Sequence, residues 1–112
     1  MSSLVQPWNV LCDESISIEA IRSLHTPPSR FRISPSKFPV GTAFPGGSIA
    51  GRIYVLSGRC SRTVGDWRVE LAPATFADFP AGGYEFQVLG DEAVELVNVY
   101  ELPELFWKKR DA

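Results

Sequence analysis

The 112-residue chain is poor in the residues that most site chemistry uses: it has one histidine, His25, two cysteines and one methionine. One histidine and two cysteines far apart in sequence make no zinc or redox spacing. Charge of one sign is lacking too. Eleven basic residues against 13 acidic leave a net charge of -2, without the basic excess or stripe that phosphate backbones demand. No hydrophobic run approaches the roughly 20 residues of a membrane-spanning helix. Ile53-Tyr54-Val55-Leu56 is among the longest. Neither nucleic acid nor membrane is expected as a partner. The opening residues, Met1 to Trp8, carry neither the basic stretch nor the apolar stretch of a secretion signal. A cytoplasmic setting is therefore expected, with Cys12 and Cys60 as free, buried thiols rather than a bridge.

What the chain does have is apolar content, 45% of its residues, which supports a core and excludes disorder. Nine glycines and nine prolines punctuate it every few residues, and β-prone stretches lie between them. Such spacing predicts an all-β sandwich or barrel. The strand candidates are Arg30–Ser34, Gly51–Ser57, Cys60–Val64, Trp67–Leu71, Thr75–Phe79, Tyr84–Leu89 and Ala93–Tyr100. Val64-Gly65-Asp66-Trp67 predicts a two-residue hairpin, since glycine at the first loop position supplies the positive φ of a primed turn. Leu89-Gly90-Asp91-Glu92 predicts another. One helix is expected over Ile18–His25, capped by Ser17, with Ile18, Ile21 and Leu24 on one face and Pro27 as its stop. The segment after Pro103 joins an apolar half, Leu105-Phe106-Trp107, to a solvated Lys108-Lys109-Arg110 end. A faint repeat relates Phe44-Pro45-Gly46-Gly47 to Phe79-Pro80-Ala81-Gly82-Gly83, each preceding a strand. Ser-His-Asp order, a phosphate-cradling glycine loop, a GxGxxG pattern and a Cys-His nucleophile signature are all missing.

Pro39-Val40-Gly41-Thr42 followed by Gly51-Arg52-Ile53-Tyr54-Val55-Leu56-Ser57-Gly58 resembles the first motif of the cupins, and Phe79-Pro80-Ala81-Gly82-Gly83-Tyr84-Glu85-Phe86 resembles the second. The similarity covers residues 38–102. It implies a single cupin-like domain over 1–112: a jelly-roll (double-stranded β-helix) barrel at about 30–102, an N-terminal arm at 1–29 with one short helix, and a tail at 103–112. The family's metal ligands would fall near Pro45 and Gly47, on Gly51 and on Glu85. Three of these four positions cannot coordinate, so no metal and no cofactor is expected.

On the same alignment, residues 49, 51, 53 and 55 and residues 83, 85, 87 and 89 point toward the barrel axis. Glu85 and Gln87 become polar exceptions in an apolar interior, with space at the two glycines. Glu85 then pairs with an arginine such as Arg52 or Arg68, lies exposed at the barrel mouth, binds a ligand, or serves as an acid/base group. The expected function is a metal-free module that binds a sugar or small acid through Glu85, Gln87, Tyr54 and Arg68. Two alternatives stand beside it. One is an interaction barrel with a filled interior; the other is a cofactor-independent isomerase, epimerase or cyclase using Glu85 with Tyr54 or Tyr84. A homodimer is expected as well, to cover Leu4, Val5 and Trp8 at one end and Leu105, Phe106 and Trp107 at the other.

Overall fold

A computed structural model describes residues 4–103. The apolar residues after Pro103, with the basic end that follows them, lie outside the described residues. Among the described residues, nine strands form two antiparallel sheets. Sheet A holds β1 (Gln6–Pro7), β7 (Thr75–Phe79), β4 (Gly51–Ser57), β9 (Val94–Glu101) and β2 (Phe31–Phe38), in that order. Sheet B holds β3 (Ala43–Ser48), β8 (Gly82–Leu89), β5 (Arg59–Val64) and β6 (Trp67–Leu71). The sheets face each other as a flattened jelly roll; among the described residues they are separate hydrogen-bonded sheets, not one closed barrel.

Sheet A is the middle layer, which explains why β4 reads as an unbroken apolar run. Ile53 and Val55 project into the core between the sheets, with Cys60, Leu71, Phe79, Phe86, Val88, Val94 and Leu96. Tyr54 projects the other way, into a second core with Trp8, Ala20, Ile21, Phe76, Val97 and Val99. The N-terminal arm builds that second core. Its helix α1 (Ile18–Leu24) begins where Ser17 Oγ accepts from the Ala20 amide at 3.0 Å, and it buries Ala20 and Ile21. Trp8 is 3% exposed, meets Tyr54 edge-to-face at 5.7 Å between ring centroids, and donates Nε1–H to the Glu14 carbonyl at 2.7 Å. It is covered within its own chain.

The 64–67 turn forms as expected: Val64 pairs with Trp67 and Gly65 has φ of 57°. The 89–92 turn does not make a hairpin, because it carries the chain from β8 in sheet B to β9 in sheet A. Two further strand segments lie where proline had suggested breaks. Pro45 sits in β3 and Pro35 in β2, and both are edge strands, where a missing amide donor costs no ladder bond. The two parts of the faint repeat end up as neighbours: Gly47 pairs with Gly83 and Ser48 with Gly82. Gly58, the closing glycine of the first motif, has φ of 76°, and a Cβ there would collide with the Ala93 carbonyl.

Candidate functional site

Strand β8 runs in the opposite parity to the motif count. Phe86 and Val88 enter the core and Tyr84 packs against it, so Glu85 and Gln87 stand on the outer, solvent face of sheet B. The reason is local: three large apolar side chains at alternate positions hold one face of the strand, and a one-residue offset would bury two polar groups in their place. Glu85 lies across from Thr63 and Gln87 across from Ser61. With Arg68, they line an open groove of about 480 Å³ that also touches Pro45. Arg68 is engaged by Glu70 at 3.2 Å, and Arg52 by Asp78, so neither arginine takes up Glu85. Glu85, Gln87 and Arg68 are thus brought together, but outside the jelly roll. Tyr54 is apart from them, fully buried on the far side of sheet A. Glu85, Tyr54 and Tyr84 occupy three different surfaces and cannot act on one substrate atom.

The space between the sheets is filled by apolar side chains over most of its length. At one end it turns polar. Arg62 on β5 is 1% exposed and reaches across from sheet B toward sheet A. Its guanidinium carbon lies 3.7 Å from the Phe79 ring centroid and 3.8 Å from that of Tyr84, so the cation lies over both rings. Nη2 donates to Ser48 Oγ at 3.0 Å, and the Tyr100 side chain is an electrostatic neighbour of the guanidinium. Nε is buried without a partner. None of the ion pairs among the described residues involves Arg62. Burial lowers its pKa, opposed by the neighbouring Tyr100 and Tyr84, yet a guanidinium remains charged.

The jelly roll also carries a pocket of about 470 Å³, lined from β2, β3 and β9 and the residues that follow β3 and β9. Ser48, which accepts from Arg62, and Tyr100 are part of its lining, whereas Arg62 itself is not. Arg32 and Ser34 add polar groups, while Ile49, Leu102 and Pro103 add an apolar wall. Two glycines shape this end. A Cβ on Gly46 would run into the Tyr84 ring, and one on Gly51 would come within 2.8 Å of Phe79 and 2.9 Å of Tyr100. The expected space at Gly51 is therefore taken by aromatic rings, whereas Gly47 stays open, its nearest neighbour being the Gly82 carbonyl at 3.9 Å. Asn98, opposite Ser34 on the lumen side of β9, keeps a buried Oδ1 without a partner.

A second polar cluster lies on the outer face of sheet A. His25 Nε2 and the Tyr54 hydroxyl are 2.7 Å apart, and Arg52 Nη1 donates to the same hydroxyl at 3.4 Å. Arg52 also grips Asp78 through Nε at 2.6 Å and Nη2 at 3.3 Å, which raises its pKa. The Tyr54 hydroxyl thus joins His25 to Arg52, with the direction of the His25 bond set by the imidazole tautomer. Burial, and then the charge of Arg52, lower the His25 pKa. His25 is thus a half-buried tie between arm and sheet rather than a surface group. Burial pushes the Cys60 thiol up to about 12, an inert core group.

The cupin resemblance raises the question of a metal. Of the four ligand positions, Pro45, Gly47 and Gly51 have no donor side chain and Glu85 faces solvent. Among the described residues, no group of three or more His, Cys, Asp or Glu is placed to hold an ion. This donor set does not fit a metal centre.

Comparison with solved structures places the fold. The chain is similar to the cupin domain of Schizosaccharomyces pombe Cnp3, with a TM-score of 0.60 and 22% identity over 77% of this chain and 61% of that one. It is similar to the Cupin_2 domain of an XRE-family transcriptional regulator from Enterobacter cloacae, with a TM-score of 0.59 and 12% identity over 67% and 84%. A cupin superfamily protein from Desulfitobacterium hafniense gives a TM-score of 0.56 and 18% identity over 66% and 69%. The fold is a cupin-like jelly roll. The chain spans about three fifths of the length of the Cnp3 domain. No family model matches the chain, and no curated protein matches it in sequence. No helix among the described residues is long and apolar enough to cross a membrane.

Proposed function

We propose that this chain is a cupin-like binding module that takes a small polar ligand, without a metal, at the open end of its jelly roll. The observation that carries this reading is the contrast along the lumen: apolar and filled for most of its length, then a pocket of about 470 Å³ lined by Arg32, Ser34, Ser48 and Tyr100. Concave sites with a few convergent polar groups in an otherwise apolar setting are where small ligands bind. Glu85, Gln87 and Arg68 fall outside this reading, since their groove lies on the outer face of sheet B. The filled portion of the lumen favours the second reading, an interaction protein that uses the jelly roll as a rigid body. We also propose a homodimer, supported now by the arm alone, where Leu4 and Val10 are 59% and 57% exposed. A cytoplasmic setting fits its two free cysteines.

The test is an amide-resolved NMR titration with a panel of sugars and small acids. Binding at the mouth shifts amides at 32–34, 47–49 and 100–102. Shifts confined to Thr63, Glu85 and Gln87 would move the site to the outer groove. A panel that leaves both untouched would favour the interaction protein.

A further inference from the structure

We propose that the groove on the outer face of sheet B is a second binding site, separate from the mouth, and that it takes a small zwitterion such as a free α-amino acid. Strand register sets the site. Thr63 on β5 pairs with Glu85 of β8 on one side and with Arg68 of β6 on the other. A carboxylate and a guanidinium therefore stand in one row on one face, their backbones two strand spacings, about 9.6 Å, apart. Only the short Thr63 side chain lies between them. In the neighbouring row Ser61 lies between Gln87 and Glu70. The floor of the groove is thus two small hydroxyl residues, and charges of opposite sign rise on its two sides.

The polar groups of this face are not spent on one another. Ser61, Thr63, Glu85 and Gln87 line the groove, and none has a side-chain hydrogen bond or ion pair among the described residues. Ser61 is only 3% exposed, yet its hydroxyl is not sealed off as Arg62 Nε and Asn98 Oδ1 are; its opening is to the groove. A nearly buried hydroxyl without an internal partner calls for a bond from outside the chain. Arg68 holds Glu70 at 3.2 Å, but both side chains are about half exposed. Such a pair contributes little and leaves most of the guanidinium donors for a carboxylate in the groove. Charges of both signs favour a zwitterion over an anion, which Glu85 would repel. A sugar lacks a platform here, because Phe44 and Phe86 turn their rings into the core. Ala43 and Pro45, paired with Gln87 and Glu85, offer apolar surface to a short side chain.

The experiment titrates L-alanine at pH 7 and constant ionic strength, beside lactate, which lacks the ammonium, alaninamide, which lacks the carboxylate, and glucose. Amide shifts are read on the wild-type chain and on Glu85→Gln, Arg68→Gln and Ser61→Ala. The expected result is saturable shifts at 61–63, 68 and 85–87 with L-alanine. Lactate, alaninamide and glucose should each bind there at least about 10-fold more weakly, the worth of one charged hydrogen bond. Glu85→Gln and Arg68→Gln should each weaken alanine binding by about 10-fold too, and Ser61→Ala by a few-fold, with cooperative melts throughout. Lactate or alaninamide binding as tightly as alanine would overturn the zwitterion, and glucose doing so would make this a polyol site instead. An absence of shifts at these positions with alanine would overturn the site itself. Shifts at 47–49 and 100–102 report on the mouth alone, so each reading fails separately. Should a variant fail to fold, the wild-type series decides alone.

Discussion

Removing one oxygen from Tyr54 tests how the N-terminal arm is fastened to the jelly roll. The ring is fully buried against Trp8 and Phe76, and Tyr54→Phe keeps that packing. What it removes is the hydroxyl between His25 Nε2 at 2.7 Å and Arg52 Nη1 at 3.4 Å. The Arg52 contact is long, and Arg52 retains both bonds to Asp78, so its share is small. The His25 bond is short and half-buried, and its loss leaves the imidazole Nε2 without that partner. The expected cost is about 1 kcal/mol, with ~2 kcal/mol as the ceiling if no water reaches His25. For a domain of this size, 1 kcal/mol lowers Tm by roughly 4 °C. Tyr54→Ala, which empties the site, should cost about 3–5 kcal/mol instead. Denaturant melts of wild type, Tyr54→Phe, His25→Leu and the double variant close a cycle, with m-values unchanged. A coupling of about 0.5–1.5 kcal/mol is expected. Additivity within ~0.3 kcal/mol would refute the bond as the fastening.

Acid should loosen the same tie. The folded-state pKa of His25 is depressed, so the unfolded chain binds the proton more readily. The contribution of His25 is full above its ordinary value of about 6.5 and declines as pH falls through the folded-state value, and His25→Leu should flatten that part of the curve. The groups facing His25 are the Tyr54 hydroxyl, Arg52 and the Phe31 ring, with Asp78 and Glu101 lining the same recess. A wild-type stability curve as flat as the variant's between pH 7 and 5 would rule this out. Glu85→Gln should move stability by less than ~0.5 kcal/mol, because the carboxylate is exposed and unpaired among the described ion pairs. A loss of 3 kcal/mol in its urea melt would mean that Glu85 is buried after all. Light scattering at tens of micromolar should give the mass of a dimer, and Leu4→Glu with Val10→Glu should shift it toward monomer; a monomeric wild type ends that proposal.

Fold class, the helix with its Ser17 cap and the 64–67 hairpin were legible because each depends on local chemistry: turn glycines, apolar periodicity, a capping hydroxyl. The strands β2 and β3 were only partly legible. Proline marks a break unless the strand is at an edge, and being at an edge is a property of the assembled sheet. Glu85 fails for a different reason. Its inward placement came from counting residues within a family motif, although Tyr84, Phe86 and Val88 alternate with Glu85 and Gln87 in the chain itself. Strand parity admits no compromise, and the alternation fixed it correctly.

Arg62 was within reach by the same logic. A two-residue loop at Gly65-Asp66 makes Val64 face Trp67, and antiparallel pairing then sets Arg62 opposite Val69 and Cys60 opposite Leu71. Val69 and Leu71 alternate with Arg68 and Glu70, so the face carrying Val69, Leu71 and Cys60 is the buried one. Arg62 shares that face. Its burial therefore follows from one turn and one alternation, without reference to any family. What does not follow from sequence is the company it keeps. Phe79 comes from sheet A, Tyr84 from β8, Ser48 from the end of β3 and Tyr100 from β9. These four meet around one guanidinium only because the jelly roll folds their strand ends to the same mouth. A buried arginine predicted from a hairpin says that a counter-charge or a set of acceptors is needed; the folded chain shows one acceptor, Ser48 Oγ, and two rings, and leaves Nε without a partner among the described residues.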